Sequence, residues 1–102
     1  MSKLITSATS AKAHKLKSIL NNPDIVLGDY RELPTFMAEK MGWVKLPNPG
    51  SASYQHEMLT FCMDTGVEDL YVLGAEEMHL LAESFQLFKE YYINIIDART
   101  NV

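Results

Sequence analysis

The chain has 102 residues, 47 % hydrophobic and 22 % charged, a balance that suits one globular domain and excludes a disordered chain or a second core. Nine basic against thirteen acidic residues give a formal net charge of -4, which argues against a nucleic-acid partner, whose backbone is gripped by clustered Lys and Arg. The single cysteine, Cys62, excludes an internal disulfide and points to a reducing, cytoplasmic setting, and neither a signal peptide nor an apolar run of about 20 residues for a membrane span is expected.

Leu4-Ile5-Thr6 reads as a first short strand, followed by a polar turn over Ser7 to Ser10. Ser10 then caps a helix from Ala11 to Leu20, whose apolar residues Ala13, Leu16, Ile19 and Leu20 recur at spacings of three and four. Lys12, Lys15 and Lys17 fall on its solvent side, and Asn21-Asn22-Pro23 ends it. Asp24 to Gly28 is a second strand, nearly continuously apolar as a strand covered on both faces should be. A short helix over Leu33 to Met41 closes at Gly42, and Trp43 to Leu46 is a third strand, stopped by Pro47-Asn48-Pro49-Gly50.

The third helix spans Ser53 to Asp64, with Tyr54, Met58, Phe61 and Cys62 as its buried stripe. Gly66 ends it, and Leu70 to Leu73 is the fourth strand. A single long helix is expected from Ala75 to Tyr91, with Glu76 and Glu77 in its first turn, Lys89 in its last, and Met78, Leu81, Ala82, Phe85 and Phe88 along one face. Ile93 to Ile96 is the fifth strand. Strands alternating with helices need crossover connections, so the chain should fold as one α/β domain over residues 1–102, a three-layer Rossmann-like sandwich around a largely parallel sheet of about five strands.

In such sheets ligands lie beyond the carboxyl ends of the strands. That edge is built here from Ser7-Ala8-Thr9-Ser10, Gly28-Asp29-Tyr30 and Leu73-Gly74-Ala75-Glu76, so Ser7, Thr9, Ser10, Asp29 and Glu76 are the candidate ligand contacts. The first loop has no glycine to let a backbone approach a pyrophosphate, although Asp29 follows Ser7 by 22 residues, near the spacing of a ribose-binding acid. Capping of a helix start explains Glu76-Glu77 without a ligand and is the favoured account. His14, His56 and His79 stand singly and none pairs with Cys62 at metal-ligand spacing, so no metal and no cofactor is expected. No nucleophile–base pair marks an enzyme active alone, and Cys62 reads as a small buried hydrophobe. Phe85, Phe88, Tyr91 and Tyr92 make the last helix apolar on more than one side, a feature of double-sided packing or of a surface for a partner.

Several segments together resemble the N-terminal pre-ATP-grasp domain of the ATP-grasp superfamily, in particular that of the carbamoyl-phosphate-synthase-like and biotin-carboxylase-like carboxylate ligases. They are Lys3-Leu4-Ile5-Thr6-Ser7-Ala8, Asp24-Ile25-Val26-Leu27-Gly28-Asp29, Leu46-Pro47-Asn48-Pro49 followed by Tyr54, and the run from Leu59-Thr60-Phe61-Cys62 through Gly66-Val67-Glu68-Asp69-Leu70-Tyr71-Val72-Leu73-Gly74-Ala75-Glu76-Glu77. Two positions depart from the pattern: Gly74 stands where the family has a proline, and Ala75 where it has an acid. The resemblance implies a non-catalytic module that lends an edge to an acceptor-substrate site, while ATP and magnesium would be held by later domains that this sequence does not contain. Its partner would then be a separately encoded ATP-grasp chain, with a second copy of this chain as the other candidate. The alternative is a small-ligand or nucleotide-binding regulatory domain that uses the same cleft.

Overall fold

The computed structural model of the chain describes residues 2–99. Strand β1 is Lys3–Ile5, helix α1 is Ala11–Leu20, β2 is Ile25–Asp29, α2 is Thr35–Met41 and β3 is Val44–Lys45. Helix α3 is Tyr54–Thr65, β4 is Asp69–Val72, α4 is Ala75–Ala82, α5 is Phe85–Glu90 and β5 is Asn94–Asp97. The five strands form one sheet in the order β3-β2-β1-β4-β5, and every neighbouring pair is parallel. The fold is therefore α/β, with the Rossmann-like arrangement expected from the alternation of strands and helices.

The layers follow from the two-residue period of the strands. Leu4, Leu70, Val72 and Ile95 pack in one cluster with Tyr54, Met58, Leu59 and Cys62 of α3, Leu81 of α4 and Phe88 of α5. Ile5, Ile25 and Leu27 pack in the other with Ala8 and with Ala13 and Leu16 of α1. Leu4 lies opposite both Val26 and Leu70, so β1 is the centre of the sheet. No described helix is long and apolar enough to cross a membrane.

Several boundaries move from their expected places. Helix α2 begins at Thr35 rather than Leu33, because Pro34 disfavours helical geometry at the residue before it. β3 keeps only two residues, β1 and β4 lie one residue earlier than expected, and β2, α3 and β5 lie one residue later. The stripe of α1 is Ala13, Leu16 and a half-buried Leu20, with Ile19 58 % exposed. In α3, Leu59 is buried where Phe61 was expected and Phe61 is half-buried.

The largest correction concerns the last helix. It is not one element over Ala75 to Tyr91 but two, because Ser84 donates its N–H to Leu81 O and leaves the α-helical path with φ -111° and ψ 13°. The break lets Leu81 and Phe88 both reach full burial in one cluster, while Ala82, Phe85 and Leu87 face solvent. Packing outweighs the propensity of a segment that contains no glycine or proline.

Candidate functional site

The strand order reverses between β1 and β4, so the chain leaves these two neighbours in opposite directions. The carboxyl edge there gathers the β1–α1 loop, the residues after β2 and the junction of β4 with α4. Thr6 spans the gap: its N–H donates to Tyr71 O at 3.0 Å, and its Oγ1 accepts the Leu73 N–H at 2.9 Å.

The β1–α1 loop is closed upon itself. Ser7 takes a left-handed conformation with φ 58°, uncommon for a residue with a Cβ. Its carbonyl then accepts both the N–H and the Oγ–H of Ser10, each at 2.8 Å. Ser10 Oγ in turn caps α1 by accepting the Ala13 N–H at 3.3 Å, which satisfies one of the free amides at the helix start. The Ala8 N–H donates to Gly28 O at 2.9 Å. His14, one turn into α1, donates from Nε2 to Ala8 O at 3.0 Å and rests its ring 5.6 Å from that of Trp43.

Asp29 completes this closure. Its Oδ2 accepts the Thr9 N–H at 3.1 Å and the Thr9 Oγ1–H at 2.8 Å, and its Oδ1 accepts the Arg31 N–H at 3.0 Å and an Arg31 guanidinium N–H at 3.1 Å. Burial pushes the carboxyl pKa up, but the bonds from Arg31 and Thr9 and the Arg31 charge outweigh it and hold the group below the usual carboxylate range. Asp29 is thus an ionised, fully buried brace whose two oxygens already receive four donors. The amides of residues 8, 9 and 10 are all directed at protein acceptors, so the loop has no row of free donors with which to cradle a phosphate.

Of the candidate contacts, Ser7, Thr9, Ser10 and Asp29 come together, but with one another. Glu76 stands apart from them, exposed in the first turn of α4. There a second arrangement appears. Tyr30, Arg31, Gly74, Ala75, Glu76 and Glu77 line a cleft of about 180 Å³. The Arg31 side chain is half exposed and lies over the Tyr30 ring, 4.6 Å from its centre. Helix α4 opens from Gly74 with no side chain capping its first amides.

Glu77, expected with Glu76 as a capping charge at the start of α4, turns inward instead. It is 1 % exposed, and Oε1 has no hydrogen-bond partner among the described residues. Oε2 accepts the Tyr54 O–H at 3.3 Å. Gly74 is what lets it in, because a Cβ at that position would overlap Oε1 well inside contact distance. Burial raises the carboxyl pKa to about 7, with the Asp29 and Glu76 charges adding to it and the Tyr54 bond and Arg31 opposing it. The same neighbourhood, burial first and the Glu77 charge next, pushes the Tyr54 hydroxyl pKa upward. The signal in the sequence was spacing: Glu77, Leu81 and Phe88 share the face that turns to the core, and Glu77 lies one turn before the first of its leucines.

Among the described residues, no group of three or more His, Cys, Asp and Glu is arranged to hold a metal ion. Cys62 lies in the α3 cluster, its thiol pKa pushed up to about 12 by burial. No family model and no curated protein matches the chain.

Proposed function

We propose that the chain is a non-catalytic α/β module that supplies one wall of a small-ligand site, at the cleft between Tyr30-Arg31 and Gly74–Glu77. This is the role implied by the resemblance to pre-ATP-grasp domains, in which a partner chain carrying the ATP-grasp fold completes the site. The observation that carries the reading is the division of labour along one sheet edge. The β1–α1 loop has its donors tied internally, whereas the neighbouring cleft holds a buried carboxyl with an unpartnered oxygen, a half-exposed guanidinium and an uncapped helix start. At about 180 Å³ the cleft is smaller than the roughly 300–1,000 Å³ typical of a complete drug-sized or cofactor pocket, in keeping with a site that one chain only begins.

The regulatory alternative, with a nucleotide on Ser7, Thr9, Ser10 and Asp29, is the weaker reading, because binding there would have to displace four hydrogen bonds to Asp29. Titration of the isotope-labelled chain with ATP, ADP, NAD, small carboxylic acids, amino acids and amines, followed by amide chemical shifts, tests the choice. Shifts confined to residues 30–31 and 74–77 with small ligands support the wall-of-a-site reading. Saturable shifts at residues 7–10 with a nucleotide overturn it.

A further inference from the structure

We propose that the cleft at the start of α4 binds the carboxylate of a small acid, with Arg31 pairing its charge and Glu77 in its protonated form donating a hydrogen bond from Oε1. The inference rests on the reading of the cleft as a ligand site and names the chemistry of its ligand.

The partners of the two Glu77 oxygens argue for it. Oε2 meets the Tyr54 hydroxyl and Oε1 has no partner among the described residues, so the protonated form that keeps the Tyr54 O–H donating to Oε2 carries its proton on Oε1. Oε1 lies over Gly74, and both residues line the cleft. A Glu77 protonated there holds a buried O–H that no group among the described residues receives. A buried donor left without an acceptor is costly, and a ligand oxygen removes that cost. Two further donors stand at the cleft, beside the Glu76 carboxylate on its rim. Arg31 commits one guanidinium nitrogen to Asp29, and α4 begins with no side chain accepting from its first-turn amides.

The charges around the cleft select the size and valence of the anion. Glu77 is faced by Tyr54 from α3, by Asp29 and Arg31 from the end of β2 and the turn after it, and by Glu76 within α4. Asp29 and Glu76 are carboxylates and Arg31 is the one cation among these groups, already shared with Asp29. A monoanion is tolerated there and a dianion is repelled, which favours a carboxylate over a phosphate. A planar carboxylate also matches the fork of a guanidinium. An ionised Glu77 would add a further negative charge, so binding and protonation support each other. Above the Glu77 pKa each ligand bound takes up one proton.

Acetate is the probe, because it stays ionised throughout the pH range that matters. The expected result is a set of saturable amide shifts at residues 30–31 and 74–77, with affinity nearly constant below neutral pH and falling about tenfold per unit well above pH 7, as one-proton linkage requires. Glu77→Gln, whose amide can donate from the same position, should bind acetate with an affinity that no longer varies between pH 6 and 9. Arg31→Met should lose binding at every pH, and phosphate should compete poorly. Dispersed amide spectra show whether each variant is folded. A wild-type affinity that ignores pH, or a Glu77→Gln variant that keeps the wild-type pH dependence, overturns the proposal. So does a site that phosphate or methylammonium fills better than acetate. If acetate fails but another small ligand moves the same amides, the ligand chemistry is wrong and the wall-of-a-site reading stands. If no ligand of the panel moves them, both fall.

Discussion

Replacing Glu77 by glutamine should make the chain more stable at alkaline pH and leave its stability nearly unchanged in acid. The folded carboxyl titrates at about 7 against an ordinary 4.5. Below 4.5 the group is protonated in both folded and unfolded chains and contributes no pH dependence. As pH rises from there the unfolded chain loses the proton first, so stability declines until the folded group also ionises near 7, and levels off above it. At about 1.4 kcal/mol for each tenfold difference in proton affinity, the whole descent is worth about 3 kcal/mol. Glutamine keeps the shape, can still accept from Tyr54, and does not titrate. Urea unfolding of both proteins at intervals from pH 4 to pH 9 isolates the effect, because every other titrating group is common to the two. The difference between the profiles should be a single sigmoid that opens with the Glu77 titration and amounts to about 3 kcal/mol in favour of glutamine above pH 8. Parallel profiles, or a difference that grows toward acid, would refute the assignment of a neutral buried carboxyl.

Gly74→Ala should force Glu77 out of its place, since the added Cβ meets Oε1; a loss of about 1–3 kcal/mol is expected, with the Glu77 pKa falling toward its ordinary value in a carboxyl-detected NMR titration. Asp29→Asn should cost about 2–4 kcal/mol in chemical denaturation at neutral pH, because an amide cannot accept all four donors and loses the charge that strengthens them. Since the Asp29 pKa lies below the ordinary carboxylate value when folded, its stabilisation is present at neutral pH and disappears as pH falls through that lowered value, so the asparagine variant should also lose part of the wild-type acid transition. Cys62, fully buried with its pKa raised to about 12, should resist an aromatic disulfide reagent in the native protein and react at once in denaturant.

The fold was legible because its signals are redundant. Five apolar runs alternate with helical periodicities, and glycine or asparagine follows the ends of α1, α2 and α3 in left-handed conformations. The break between α4 and α5 was not legible, since apolar residues continue at helical spacing through it and only the burial of both Leu81 and Phe88 demands a change of direction. The candidate site was legible in its location and not in its wiring. Ser7, Thr9, Ser10 and Asp29 were found as neighbours on the ligand edge, yet their polar groups satisfy each other, a matter of backbone turns that residue types alone do not fix. Glu77 was passed over for a related reason. A glutamate at a helix start has an ordinary explanation in the helix dipole, which outweighs the spacing that sets Glu77 one turn before Leu81, and its burial beside the space that Gly74 leaves open shows that its side chain points inward.

The central position of β1 bears on how the chain can acquire its structure. One edge of this strand is filled by β2, close by in sequence, and the other by β4, with Lys3 and Asp69 joined at 2.5 Å across a separation of 66 residues. Until the second half of the polypeptide has emerged, the middle strand of the finished sheet is an open edge, with unpaired amides beside Leu4 and Ile5. Loops of that length are slow to close, and an unprotected apolar strand is a template for other chains in the meantime. A ribosome-bound nascent chain ending before Asp69 would therefore carry an adhesive surface that the completed protein conceals, which makes the interval between the translation of β1 and that of β4 the period of greatest exposure to misassembly.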